Sequence, residues 1–257
     1  MKRIYILFLT LITVMCASAQ DFKATDEDYD ISDAMIKASV TRTKYHTQES
    51  FFNIGIKSEE FLKTADRQKP TVIYLHGCNY DSPLIESALL KFYLSLGFNF
   101  AATDFIKRGD ATKACVVVNG VLVVRTNLRK RLPARVMELN AHIDWLKENG
   151  FTKIYVVGFS EGGMVIQRMN KAVDAAVIHS MSCIPLAPFA RKPINENKYL
   201  QLISTNDPFL AREGAVSCQG RSGYETFTSI VGTAPSHDPF SDPSWEGHIK
   251  KFLGVEK

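Results

Sequence analysis

The pentapeptide Gly158-Phe159-Ser160-Glu161-Gly162 constrains this chain more than any other stretch. It follows the apolar run Lys153-Ile154-Tyr155-Val156-Val157 and precedes Gly163 to Met169, which reads as helix. A G-x-S-x-G between a strand and a helix is a sharp turn that lifts the serine hydroxyl out past the strand's C-terminal end. Its glycines let strand and helix approach closely, and the backbone N–H that follows the serine points toward a developing oxyanion. The same residues can also make a Gly-rich turn with a helix-capping serine. The choice between the two rests on what else the chain supplies.

The N-terminus stands apart. Lys2 and Arg3 precede an apolar stretch from Ile4 to Met15, and Ala17-Ser18-Ala19 follows as a small-x-small cleavage signal. This predicts a secretory signal peptide over residues 1–19. The apolar stretch is short for a membrane span, and Met15 stands where lipidation of Cys16 would call for a small residue. Cleavage leaves residues 20–257, a length suited to one α/β domain with a large core of its own. It also removes two cations and no acid from a chain of formal net charge +4. The near-neutral remainder gives no support to nucleic-acid binding, and Arg129-Lys130-Arg131 reads as a solvated helix face. Of five cysteines, Cys78, Cys115, Cys183 and Cys218 would remain. In an oxidising compartment four cysteines point to two disulfides with three possible connectivities. None has a metal-binding spacing, so no metal site is expected.

Residues 20–35 are rich in acids and read as a loose lead-in. Ser50 to Ile56 is predicted as an antiparallel strand or hairpin leading into the sheet. From Thr71 the pattern becomes α/β. Thr71 to Leu75, Phe98 to Thr103, Lys153 to Val157, Ala175 to Ile178, Tyr199 to Ile203 and Tyr224 to Val231 read as strands. Helices are expected over Pro83 to Leu96, Asn127 to Asn149 and Trp245 to Leu253. Cys115 to Val118 and Val121 to Val124, joined by Asn119-Gly120, carry the strongest local hairpin signal. The alternation predicts a mostly parallel sheet with helices on both faces. In such sheets ligands sit beyond the carboxyl ends of the strands.

Ser160 needs a base to take its proton and a carboxylate to hold that base. In G-x-S-x-G hydrolases the chain order is Ser, then Asp or Glu, then His. Of six histidines only His237 and His248 come late. His237 lies in a loop after the last strand, where the base belongs, whereas His248 reads as a helix residue. Asp207 follows the strand ending at Ile203, with Asp242 as a possible substitute. The oxyanion donors are expected to be the backbone N–H groups of Glu161 and Cys78. The Glu161 side chain either touches substrate or serves as an acid in a first helical turn.

Tyr74-Leu75-His76-Gly77-Cys78, Gly158 to Gly163, Asn206-Asp207-Pro208 and Ser236 to Phe240 together resemble the α/β-hydrolase fold. Within it they are similar to the capless dienelactone-hydrolase-like group. The resemblance covers about Thr71 to Leu253 and implies Ser160 as nucleophile, Asp207 as acid and His237 as base. The dienelactone hydrolases proper use cysteine as nucleophile, so Ser160 departs from them. In this frame Cys78–Cys115 and Cys183–Cys218 are the expected disulfides, each bracing a loop at the site's edge. Only a loop fits between Ile178 and Tyr199, so no lid is expected. The expected activity is ester hydrolysis through an acyl-enzyme, with no cofactor and a small-molecule ester as partner. A peptidase or acyltransferase would use the same triad, and a binding module could keep the scaffold without the chemistry.

Overall fold

The computed structural model describes residues 40–41, 43–49, 56–78, 83–103, 115–118, 121–124, 127–183, 193–194, 196–210, 215–238 and 240–255. The expected signal peptide and acidic lead-in lie outside these residues, as do most of the expected strand at Ser50 to Ile56 and the loop after Cys183.

The described chain runs β1 (Lys44–His46), α1 (Ser58–Thr64), β2 (Thr71–Leu75), α2 (Pro83–Ser95), β3 (Asn99–Ala102), β4 (Cys115–Val118), β5 (Val121–Val124), α3 (Asn127–Glu148), β6 (Ile154–Phe159), α4 (Glu161–Ile166), β7 (Ala175–His179), β8 (Tyr199–Ser204), β9 (Phe227–Gly232) and α5 (Ser244–Leu253). Seven strands form one sheet in the order β1-β3-β2-β6-β7-β8-β9, and β4 and β5 pair separately as a hairpin. All neighbours in the large sheet are parallel except β1, which runs antiparallel to β3. Among the described residues the antiparallel strand is Lys44–His46; residues 50–55 of the expected strand lie outside them. Of that expected strand only Ile56 is described, and it makes a single antiparallel bridge to Tyr45.

Every residue of β2, β3, β7 and β8 is buried. A parallel strand covered on both faces needs apolar side chains at successive positions, which is why Thr71 to Leu75 reads as an unbroken apolar run. The two-residue period then sorts these side chains into two cores. Ile73, Leu75, Val156 and Ile178 face one core with Leu139, Ile143 and Leu146 of α3. Val72, Tyr74, Val157, Val177, Leu200 and Leu202 face the other with Leu89 and Tyr93 of α2 and Trp245 and Ile249 of α5. Each fully buried aliphatic or aromatic side chain stabilises the sheet by about 1.5–3 kcal/mol.

The chain leaves β2 toward β3 on one side and later continues from β6 outward through β7, β8 and β9 on the other. The direction of winding reverses between β2 and β6. Open α/β sheets hold their ligands at the carboxyl ends of the strands flanking such a reversal. Here those ends carry His76-Gly77-Cys78 and Ser160.

Candidate active site

Ser160 adopts φ 52° and ψ −115° between β6 and α4. A non-glycine residue at positive φ is strained by the approach of its Cβ to the backbone, and such strain persists only where the surroundings hold it. The strand-to-helix crossing imposes it. A Cβ at Gly158 would lie 2.5 Å from the Gly162 carbonyl carbon, and one at Gly162 would collide with the Leu75 carbonyl oxygen. Only hydrogen fits at either position, so β6, α4 and the end of β2 close on one another and Ser160 takes the bend. Its N–H donates to the His179 carbonyl at 2.9 Å. A Cβ on Gly77 would stand 3.4 Å from Ser160 Cβ, so the segment after β2 passes beside the serine.

Asp207 and His237 meet. Asp207 is fully buried three residues past β8, and its Oδ2 lies 2.6 Å from His237 Nδ1. Its Oδ1 accepts the Phe209 N–H at 2.8 Å. A carboxylate only accepts, so the imidazole proton sits on Nδ1 and the neutral ring keeps its lone pair on Nε2. The loops carrying the two residues are stitched together. Ser204 Oγ donates to Ala234 O at 2.5 Å, and Asn206 Nδ2 to Thr233 O at 2.8 Å. Ser180 Oγ donates to the His237 carbonyl at 2.9 Å, tying the histidine loop to the end of β7. The imidazole packs between Phe159, 5.0 Å away between ring centroids, and Phe209, 4.5 Å away and edge-on. Phe159 is the residue before Ser160, so the base stands against the serine turn.

The other candidates are placed as follows. His248 is a half-buried residue of α5. Asp242 is engaged at the start of α5, where its Oδ1 accepts the N–H and hydroxyl of Ser244 at 3.0 and 2.7 Å. These bonds favour the charged carboxylate and hold its pKa below the usual value. Cys78 is buried and disulfide-bonded; the side chain of Cys115 lies outside the described residues. Cys183 and Cys218 are joined, as expected. Among the described residues no cluster of His, Cys, Asp and Glu could hold a metal ion.

Two features do not emerge from the sequence reading. The first is Arg135 of α3, buried together with Glu161. Its Nη1 lies 2.7 Å from Glu161 Oε1, and its Nη2 donates to the His76 carbonyl at 2.8 Å. Glu161 is 2 % exposed, so its side chain pairs inward rather than facing a substrate. The signal for Arg135 is its spacing: Leu132, Arg135, Leu139, His142, Ile143 and Leu146 form one helical stripe, and one charge in an apolar stripe needs a buried partner. The second is Gln201, fully buried in β8. Its side chain donates to Met181 O at 2.8 Å and accepts from Cys218 N at 2.8 Å and Ser229 Oγ at 2.6 Å. It fastens Cys218 and the Met181 carbonyl, two residues before Cys183, to the sheet.

No family model and no curated protein matches the chain. Solved structures do. An esterase from Butyrivibrio proteoclasticus, Est1E with ferulic acid bound, is 12% identical over 82% of this chain and 95% of its own, with a TM-score of 0.52. A serine hydrolase without a lid from Xanthomonas campestris is 14% identical over 74% of this chain and 84% of its own, with a TM-score of 0.51. An esterase from Pyrococcus furiosus is 19% identical over 74% and 83%, with a TM-score of 0.50. With its parallel sheet, its winding reversal and these likenesses, the chain has the α/β-hydrolase fold.

Proposed function

We propose that the protein is a serine hydrolase that cleaves carboxylic esters through an acyl-enzyme on Ser160. The observation that carries this reading is the 2.6 Å contact of His237 Nδ1 with buried Asp207, on loops fastened against a serine held at positive φ. Ser160 Oγ attacks the acyl carbon while its proton passes to His237 Nε2. The tetrahedral oxyanion accepts from the backbone N–H groups of Glu161 and Cys78. Asp207 stabilises the imidazolium and keeps its orientation. His237 then gives the proton to the leaving alcohol, and water repeats the sequence to release the acid. Structural neighbours that include an esterase and a serine hydrolase without a lid agree with this chemistry. Within this reading the substrate is a small ester, the dienelactone-hydrolase-like group is the nearest sequence resemblance, and the protein is secreted. The Cys183–Cys218 disulfide fits an oxidising compartment.

The test is labelling with a fluorophosphonate probe, followed by assays on p-nitrophenyl esters of graded chain length. Wild-type protein is expected to label at Ser160 and to turn over short acyl esters; Ser160→Ala is expected to do neither. Full esterase activity in Ser160→Ala overturns the mechanism, and a wild type that neither labels nor hydrolyses leaves a binding module.

A further inference from the structure

Arg135 is held by two different parts of the site. Its Nη1 faces Glu161, the residue after the serine, at 2.7 Å. Its Nη2 donates at 2.8 Å to the carbonyl of His76, on the segment that leads through Gly77 to Cys78. The guanidinium is planar and rigid, so two acceptors bonded to its two terminal nitrogens are held at a fixed separation. The side chains of Arg135 and Glu161 are 3% and 1% exposed. In such a dry setting a charge-assisted contact is strong and cannot be replaced by water. A Cβ on Gly77 would stand 3.1 Å from the Phe159 ring and 3.4 Å from Ser160 Cβ, so the segment that Arg135 holds through the His76 carbonyl runs beside the serine turn that it holds through Glu161.

We propose that Arg135 is a positioning residue that sets the gap between the serine turn and the His76-Gly77-Cys78 segment, and thereby the geometry of the oxyanion site. The two backbone donors of that site lie on different segments, one after β6 and one after β2. They work together only if their spacing matches the tetrahedral oxygen and not the planar carbonyl. Arg135 holds one group on each of the two segments, and through them it acts on both donors at once. This inference rests on the serine-hydrolase reading of the site.

Arg135→Lys tests it, because lysine keeps the charge beside Glu161 but is a single point donor that cannot span both acceptors. For a short p-nitrophenyl ester, kcat is expected to fall about 10- to 100-fold with KM within about twofold, the loss that small misplacement of catalytic groups brings. Affinity for a trifluoromethyl ketone, whose adduct with Ser160 places an oxyanion in the same site, is expected to fall by the same factor. Loss of stability alone would lower the fraction of active enzyme without moving inhibitor affinity or the kcat of titrated sites. If Arg135→Lys does not fold, Glu161→Gln provides the same readouts, since the amide keeps the shape but weakens the grip on the guanidinium. Unchanged kcat and ketone affinity in a folded variant, or a loss carried wholly by KM, overturns the proposal. Wild type that fails to label with fluorophosphonate removes the hydrolase reading instead, so the two failures are distinct.

Discussion

His237 Nδ1 and Asp207 Oδ2 lie 2.6 Å apart although 30 residues separate them in the chain. Each sits just past the end of its own strand, β9 and β8, and the loops are joined by Ser204, Asn206 and the carbonyls of Thr233 and Ala234. The bond fixes the tautomer as well as the position of the ring. Asp207→Asn replaces an acceptor by an amide that can donate to Nδ1, which would place the ring proton on Nε2. Such a ring cannot take a proton from Ser160. The expected result is a loss in kcat of about 10³- to 10⁴-fold with KM little changed, checked by steady-state kinetics beside a circular dichroism spectrum that matches wild type.

Two glycines should respond in opposite directions. A Cβ at Gly162 meets the Leu75 carbonyl oxygen, whereas a Cβ at Gly247 in α5 meets nothing within 4 Å. Gly162→Ala must push β2 away from α4 and is expected to cost about 3 kcal/mol or more. Gly247→Ala should stabilise by about 1 kcal/mol, because alanine has the higher helix propensity and restricts the unfolded chain. Urea unfolding of the two variants compares them directly.

Acid should unfold the protein through its buried histidines. Burial pushes His142 and His179 down to about 3 and His46 down to about 4. Among the described residues neither ring nitrogen of His179 has a hydrogen-bond partner. The folded values lie below the unfolded one near 6.5, so the unfolded chain takes up protons first. Stability is whole above about pH 6.5 and falls as pH drops toward the folded values, by on the order of 2 kcal/mol per histidine at pH 5. Urea midpoints at pH 7.5 and pH 5 measure the difference. His179→Leu should make the acid slope shallower, and an unchanged slope would show that other groups drive it.

Reduction should loosen the protein. The Cys183–Cys218 bridge closes a loop of sequence separation 35, for which chain entropy gives about 4 kcal/mol of stabilisation. Dithiothreitol, which also opens the Cys78 disulfide, is expected to lower the melting temperature of wild type, and Cys183→Ala without reductant should show the part of that fall that belongs to Cys183–Cys218. Equal melting curves in both conditions would mean that the bridge adds nothing to stability.

The sheet is legible where its strands are buried on both faces. Thr71 to Leu75, Ala175 to His179 and Tyr199 to Ser204 have to be apolar at nearly every position, and short runs of that kind between turn residues suit little besides a covered parallel strand. The three-residue strand at Lys44–His46 is too short to show a period, and the pattern gives no sign of the helix at Ser58–Thr64. Asp207 and His237 stand out because strand ends are where a parallel sheet presents polar groups. Asp242 looks equally acidic, but its two bonds to Ser244 occupy it at a helix start. Arg135 escapes notice because its meaning lies in a partner 26 positions away, which local pattern does not encode. Gln201 does leave a trace: one amide in the middle of Tyr-Leu-Gln-Leu-Ile has to be bonded if the strand is buried.

The order of the strands also sets a timetable. The serine turn after β6 precedes β8 and β9 in the chain, so it is synthesised before the segments that carry Asp207 and His237. A chain made only as far as the loop after β8 contains Ser160 and Asp207 but not the imidazole that follows β9. Under the proposed hydrolase reading, Ser160 would gain its base only when β9 takes its place at the sheet edge, so reactivity would come only with the completed fold.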